Sequence, residues 1–533
     1  MHLAWLPALA LVAWLYRRQL SHVLAFRFDD AYITVRYAQQ LARDGVLSFN
    51  PDDRIDGYTS VGWTLLLALC ERVGLDGAAW MSTLSRLFGG LAIVAGMAVA
   101  RTLGASWALT IAVAALGPLF TPGFVVWSVP GMEMPLAACC YAAALAAMLG
   151  QTTRTRQTRA GVQLRAFLLM AAFLVRPEGA LLAGMLAAVD VLLLWHEHRA
   201  APIAAKCRVL APYLAVGLVL TAWSTWRWGF YGHPLPNTFY AKAPTPGLIQ
   251  RGVEDAEAFL RLRAIWLTPI AALVTLVLSS LGSTPRAGGR TGGSLRTRLV
   301  LVVFAAWFCS VFVVYARSGG DFPGFHRFYQ PLVPVSYGVI AAAISRAARG
   351  LVGKLAGSYR WPPHVADVVV AAACGTFLVA SDRDALSTAF AHDVGLIRGQ
   401  TDAVNEWERA GTALRAAWDR ESREPMRMAV RAAGVLPHAA RADRVYDTLA
   451  LNNPDVAHHN PPVRDVPAHQ KEATEAQILA WSPNVIVGHP VTAGVDMTGA
   501  PPAWCDSAAF RQAGYRFRCV PMNGGGFFCF WQR

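Results

Sequence analysis

Charge is scarce in this 533-residue chain: 15% of its residues are Asp, Glu, Lys or Arg, against 55% that are hydrophobic. That balance excludes a disordered or highly solvated chain and points to a polytopic membrane protein. Cysteine is sparse, nine in all, and no CxxC spacing occurs, so no metal site is expected. Cys70, Cys139, Cys140, Cys207, Cys309 and Cys374 sit in or beside apolar runs, where a small buried hydrophobe is the ordinary role. Cys505, Cys519 and Cys529 lie in a polar tail, and an extracytoplasmic tail leaves room for one disulfide among them. The apolar stretch Leu3–Leu15 has no basic region before it and no small-residue cleavage site after it, so it reads as a retained anchor. Matching halves are also missing, which weighs against a transporter built from repeats. The turn Asn523-Gly524-Gly525-Gly526 is too short and misplaced for a phosphate loop and reads as a connection into a final strand.

Long apolar runs are abundant. Residues 299–316 form an uncharged run long enough to cross most of a hydrocarbon core of about 30 Å. Less clean runs lie at 84–100, 107–120, 135–149, 166–175, 180–195, 209–226, 265–281, 331–344 and 365–380, and ten to twelve crossings are expected. A short or re-entrant segment is expected near 63–69.

The formal charge of +14 does not indicate nucleic acid, because the cations cluster in linkers between apolar runs. Arg154, Arg156 and Arg159 form one cluster, Arg286, Arg290, Arg296 and Arg298 a second, and Arg346, Arg349, Lys354 and Arg360 a third. The positive-inside rule makes these three cytoplasmic and places the loop at about 317–330 on the opposite face. Near residue 381 the apolar pattern stops. A soluble α/β domain is expected over 381–533, with helices at 396–418 and 472–480 and strands at 426–430, 445–451, 485–487 and 517–520.

Polar residues inside apolar surroundings need a partner, a cavity or a function. Asp29 and Asp30 stand at the start of a helical pattern (DDAYITVRYAQQLARDG). One acid suits a helix start; the second, with Arg36 two turns on and Asp56-Gly57-Tyr58-Thr59 beyond, makes a polar cluster that capping does not explain. A carboxylate there can accept a proton from an attacking hydroxyl. Glu133 in WSVPGMEMP is either a helix-start acid or a site residue. Arg176 and Glu178 flank Pro177 and form either a structural ion pair between two short helices or a polar face on a broken one. FYGHPLPNTFYAK suits an ordered interface loop, with Lys242 a candidate phosphate ligand. Arg317, Asp321, His326 and Arg327 share the loop ARSGGDFPGFHRFYQPLVP, where two arginines can hold a phosphate. His458, His459 and His469 read as surface histidines.

FDDAYITVRYAQQLARDGVLSFNP, IDGYTSVGWTLLL, WSVPGMEMPL, LVRPEGALL, YGHPLPNTFYAK and SGGDFPGFHRFYQPLVP occur in the order found in the GT-C membrane glycosyltransferases. Together they resemble most the group that adds terminal arabinofuranose to bacterial cell-wall arabinan. MAVRAAGVLPH, YDTLALNNPDVAHH and HQKEATEAQILAWSPNVIV resemble the tail of such proteins. The resemblance implies a GT-C transmembrane catalytic domain over 1–380, with active-site outer loops at about 25–60, 229–262 and 317–330, and an extracytoplasmic domain over 381–533. It implies a polyprenyl-phosphate sugar donor, a glycan or glycoprotein acceptor, and inverting transfer at the outer face of the bacterial inner membrane. By the same resemblance Asp29 or Asp30 is the general base, and Lys242, His326 and Arg327, with Arg36 behind them, stabilise the departing lipid phosphate. Glu133, Arg176, Glu178, Asn237, Tyr240, Asp321 and Tyr58 then contact substrate. No cofactor is implied, and although some members of the superfamily use a divalent cation, the acid pair has no nearby oxygen ligands in sequence. A transporter or flippase of lipid-linked sugars suits the same composition and is the alternative.

Overall fold

The computed structural model describes residues 6–150, 158–242, 244–261, 265–281, 292–321, 325–355, 363–385, 391–464, 466 and 470–533. Arg154, Arg156, Arg286, Arg290, Arg360 and His469, and residues 322–324 of the GGDFPGF run, lie outside them. Two compact units divide the chain. The first comprises Met1–Leu24, Ser82–Thr225 and Gln250–Val394; the second comprises Ala25–Met81, Trp226–Ile249 and Gly395–Arg533. The tail after 395 thus shares a unit with two earlier segments.

The first unit is helical. In hydrocarbon no water is available to pair backbone N–H and C=O groups, so an apolar run closes its own hydrogen bonds as a helix. Among the described residues, Gly77–Thr102, Pro177–Glu197, Ile203–Tyr231, Leu295–Arg317 and Arg327–Leu351 are long and apolar enough to cross a membrane. Trp107–Leu119, Met134–Leu149, Leu267–Leu278 and Val365–Leu378 are shorter apolar helices, and Leu6–Ser21 and Arg159–Val175 are helical over 16 and 17 residues. The protein is a multi-pass α-helical membrane protein. Pro177 opens its helix, where the missing N–H costs nothing, so the 159–175 and 177–197 helices meet at Arg176 in extended conformation.

The second unit is mixed. Its helices include Asp29–Asp44, the short Val61–Arg72 over the expected short or re-entrant segment, and Asn237–Ala241. Its sheet has five strands, β1 (Arg427–Val430), β2 (Arg444–Asp447), β3 (Val485–Ala493), β4 (Arg516–Pro521) and β5 (Phe527–Gln532), in the order β2-β1-β3-β5-β4. β1 is parallel to β2 and β3, while β5 is antiparallel to β3 and β4. A disulfide joins Cys519 to Cys529 across the β4–β5 pair, so two of the three tail cysteines are bonded to each other.

Two expected boundaries shift for local reasons. The strand expected over 445–451 stops at Asp447, whose carboxylate turns the chain by accepting Leu449 N–H and Asn452 N–H, both at 2.8 Å. The helix expected from 472 starts at Glu475, behind a capping box between Thr474 and Gln477.

Gly57 is a close approach within this unit. A Cβ there would lie 2.1 Å from Asn452 Oδ1 and 2.8 Å from the Leu451 carbonyl. The Tyr37 hydroxyl, which donates to Asn452 Oδ1 at 3.0 Å and accepts Gly57 N–H at 2.9 Å, closes the other side. We expect Gly57→Ala to lower stability by about 1–3 kcal/mol through overpacking, read as a lower thermal midpoint in detergent; an unchanged midpoint would refute this tight packing.

Candidate functional site

The acid pair opens the Asp29–Asp44 helix, but Asp29 does not cap it. Phe28 occupies the N-cap and makes no side-chain cap bond. The Asp29 carboxylate instead accepts two main-chain N–H groups from a distant segment. Val435 N–H donates to Oδ1 at 2.7 Å and Gly434 N–H to Oδ2 at 3.2 Å.

Asp29 is half-buried, and desolvation pushes its pKa up to about 7, helped by the charges of Asp30 and Asp447 and opposed by the two N–H bonds. Asp447 is buried and likewise raised, by desolvation first, with Asp30 adding to the effect. Three carboxylates therefore share one field, and the third was not singled out from the sequence, because nothing in YDTLALNN marks one aspartate as a neighbour of residue 30.

Arg27, just before the helix, reaches Asn405 Oδ1 at 3.1 Å and pairs with Glu408, and it also bonds the Tyr32 hydroxyl. The Tyr32 ring packs 5.2 Å from that of His438, whose pKa is lowered chiefly by burial.

Most other candidates in this unit bond or pack within it. Arg36, expected behind the phosphate ligands, bonds three main-chain carbonyls and one side chain. It donates to the Phe49 carbonyl at 2.8 Å, the Ala442 carbonyl at 3.0 Å, and Asn50 Oδ1 and the Asp443 carbonyl at 3.1 Å. Its burial lowers its pKa to about 10, and its geometry is that of a strut between the 29–44 helix and β2. Asn237 donates to the Ala450 and Leu451 carbonyls at 2.7 and 2.9 Å, which also makes it a joint. Tyr240 packs on His458 with ring centres 4.2 Å apart, and His458 stacks on His233 at 4.1 Å; His458 is no lone surface residue. Tyr58 is buried, its hydroxyl 3.3 Å from that of Tyr231. Asp56 pairs with Arg227 at 2.6 Å, and burial still raises its pKa to about 6. Lys242 follows the 237–241 helix, half-buried.

The first unit holds the remaining candidates in two clusters. Arg176 lies between two acids, pairing with Glu133 through Nη1 and with Glu178 through Nε at 2.5 Å. Tyr315 donates to Glu178 Oε2 at 2.6 Å and contacts Arg176 as well, and all four are buried. The Arg176–Glu178 ion pair is thus formed, and Glu133 and Tyr315 widen it.

In the second cluster Asp321 accepts the Arg327 main-chain N–H at 3.0 Å and its guanidinium at 3.1 Å. His326 Nδ1 lies 2.6 Å from Asp255 Oδ1. The Arg327 guanidinium rests over the Trp127 and Phe328 rings. Asp255 was missed in sequence because it reads as a solvated acid on the amphipathic 246–261 helix. Among the described residues no three His, Cys, Asp or Glu side chains are disposed to hold a metal ion.

No family model matches the chain. Over 318 residues it is 27% identical to the terminal β-(1→2)-arabinofuranosyltransferase of Mycobacterium tuberculosis, a match covering 55% of this chain and 49% of that protein. This chain is similar to that arabinofuranosyltransferase. It spans about half the length of that curated relative. Among solved structures, ArnT from Cupriavidus metallidurans overlays 85% of this chain and 87% of its own, at 14% identity and a TM-score of 0.45. The Archaeoglobus fulgidus oligosaccharyltransferase tethered to an acceptor peptide overlays 83% of this chain and 63% of its own, at 12% identity and a TM-score of 0.47.

Proposed function

We propose that the protein is an inverting glycosyltransferase that moves a sugar, arabinofuranose by its similarity to the mycobacterial enzyme, from a polyprenyl-phosphate donor to a cell-envelope glycan or glycoprotein. The observation that supports this reading best is the Asp29 carboxylate: oriented through both oxygens and shifted to about 7, it suits a general base near neutral pH, where proton acceptance is most efficient.

In the proposed step Asp29 takes the proton of an acceptor hydroxyl as that oxygen attacks the anomeric carbon. The bond from that carbon to the phosphate oxygen breaks with its electron pair on the lipid phosphate, and the anomeric centre inverts. As the resemblance implies, Lys242, Arg327 and His326 are proposed to bind the donor phosphate; Asp321 holds Arg327 and Asp255 holds His326. The Cys519–Cys529 disulfide fits an oxidising compartment and, with the basic linkers, supports an extracytoplasmic tail and transfer at the outer face of the inner membrane.

The test is transfer by the purified full-length protein in detergent, supplied with polyprenyl-phosphate arabinofuranose and an arabinan acceptor, and in parallel with the mannose donor. Transfer is expected, with kcat/KM rising with pH through about 7 as Asp29 loses its proton. A rate independent of pH between 5.5 and 8 would remove Asp29 as the base. No transfer from any lipid-phosphate sugar, with lipid-sugar movement across vesicles instead, would establish the transport reading.

A further inference from the structure

Asp29 and the residues that hold it come from segments about 400 positions apart, yet lie in one compact unit. Gly434 and Val435 open a short helix, Val435–Ala439, that follows β1. Their N–H groups diverge onto the two oxygens of one carboxylate. The approach is so close that a Cβ on Gly434 would lie 2.1 Å from the Asp29 carbonyl oxygen and 2.7 Å from its Cγ, so residue 434 must be glycine for the contact to exist. Resting on the glycosyltransferase reading, we infer that the Gly434–Val435 peptide pair of the tail is the positioning element for the base Asp29.

The tail on this view orients the reacting carboxylate, whatever else it binds. Bonds donated to the ionised carboxylate favour the charged form, and the Asp447 charge disfavours it. Among the described residues, the other ionisable groups around this contact are Asp30 and Tyr32 on Asp29's own helix, with His438 of the 435–439 helix and the Arg27–Glu408 pair against Tyr32. Removing one donor and removing the Asp447 charge must therefore move the acid limb of the rate profile in opposite directions.

Val435→Pro deletes the 2.7 Å donor at a first helical position, where proline is well tolerated. Asp447→Asn deletes the charge. Both are assayed as full-length protein with polyprenyl-phosphate arabinofuranose and arabinan, alongside wild type and Asp29→Asn. The acid limb is expected to rise by about one pH unit in Val435→Pro, with turnover recovering toward wild type at high pH, and to fall below wild type in Asp447→Asn. A merely structural lesion lowers the rate at every pH and moves neither limb.

If Val435→Pro proves unfolded, Gly434→Ala, whose Cβ forces the peptide pair away from Asp29, decides: an upward shift of the acid limb sustains the inference and an unmoved limb overturns it. Wild-type transfer lost in Asp29→Asn, with unmoved limbs in both other variants, overturns the inference and leaves the glycosyltransferase standing. Wild-type protein that transfers no sugar overturns both.

Discussion

Asp29→Asn should abolish sugar transfer, lowering kcat by about a thousandfold or more, while the variant stays folded and still binds polyprenyl phosphate. Removing a positioned general base typically removes a factor of about 10²–10⁴, and an amide cannot take the acceptor proton. The fold should survive for an electrostatic reason. The folded pKa of Asp29 is raised from 3.8 to about 7, so the native state holds this proton more tightly than the unfolded chain. The favourable contribution is complete below about pH 4 and is lost as pH climbs to about 7. Above pH 7 the carboxylate is a net burden on stability, and Asn removes the charge while its carbonyl keeps one acceptor for Val435 or Gly434.

Asp30→Asn should behave differently. Its charge raises both Asp29 and Asp447, so its loss should shift the acid limb downward and leave measurable turnover. Parallel rate assays and thermal unfolding of the two variants check this. A dead Asp30→Asn beside an active Asp29→Asn would reverse the assignment.

The largest stability loss is expected from Arg176→Met. Its guanidinium is buried between Glu133 and Glu178 and touches the Tyr315 hydroxyl. Removing it leaves two facing carboxylates without a cation in a buried, low-dielectric site, which costs about 3–5 kcal/mol when a buried pair is broken from one side. Loss of yield, or a thermal midpoint lower by many degrees, is the expected result. Adding Glu133→Gln and Glu178→Gln to Arg176→Met should recover much of the loss, because the penalty comes from uncompensated charge. Arg176→Lys should recover less, since a point charge cannot span both acids and the tyrosine as a planar fork does. A single Arg176→Met variant as stable as wild type would show that the cluster is no structural staple.

The two residue sets were legible in the sequence to different depths. Adjacent acids before a helical pattern marked Asp29 and Asp30, and Pro177 between Arg176 and Glu178 marked a helix junction, because these signals are local. Arg36 and Asn237 looked equally available for substrate, yet each is consumed by carbonyls of the tail. Asp255 and Asp447 carried no local mark at all.

The chain's own pattern determined the membrane helices and the strand-rich tail, since an apolar run in lipid must satisfy its backbone internally and a short β-branched run does so through neighbours. Which polar group meets which was decided only by the tertiary structure. The donors to Asp29 are main-chain N–H groups of Gly434 and Val435, which every residue but proline carries. Only the folded chain selects two of them and aims them at one carboxylate.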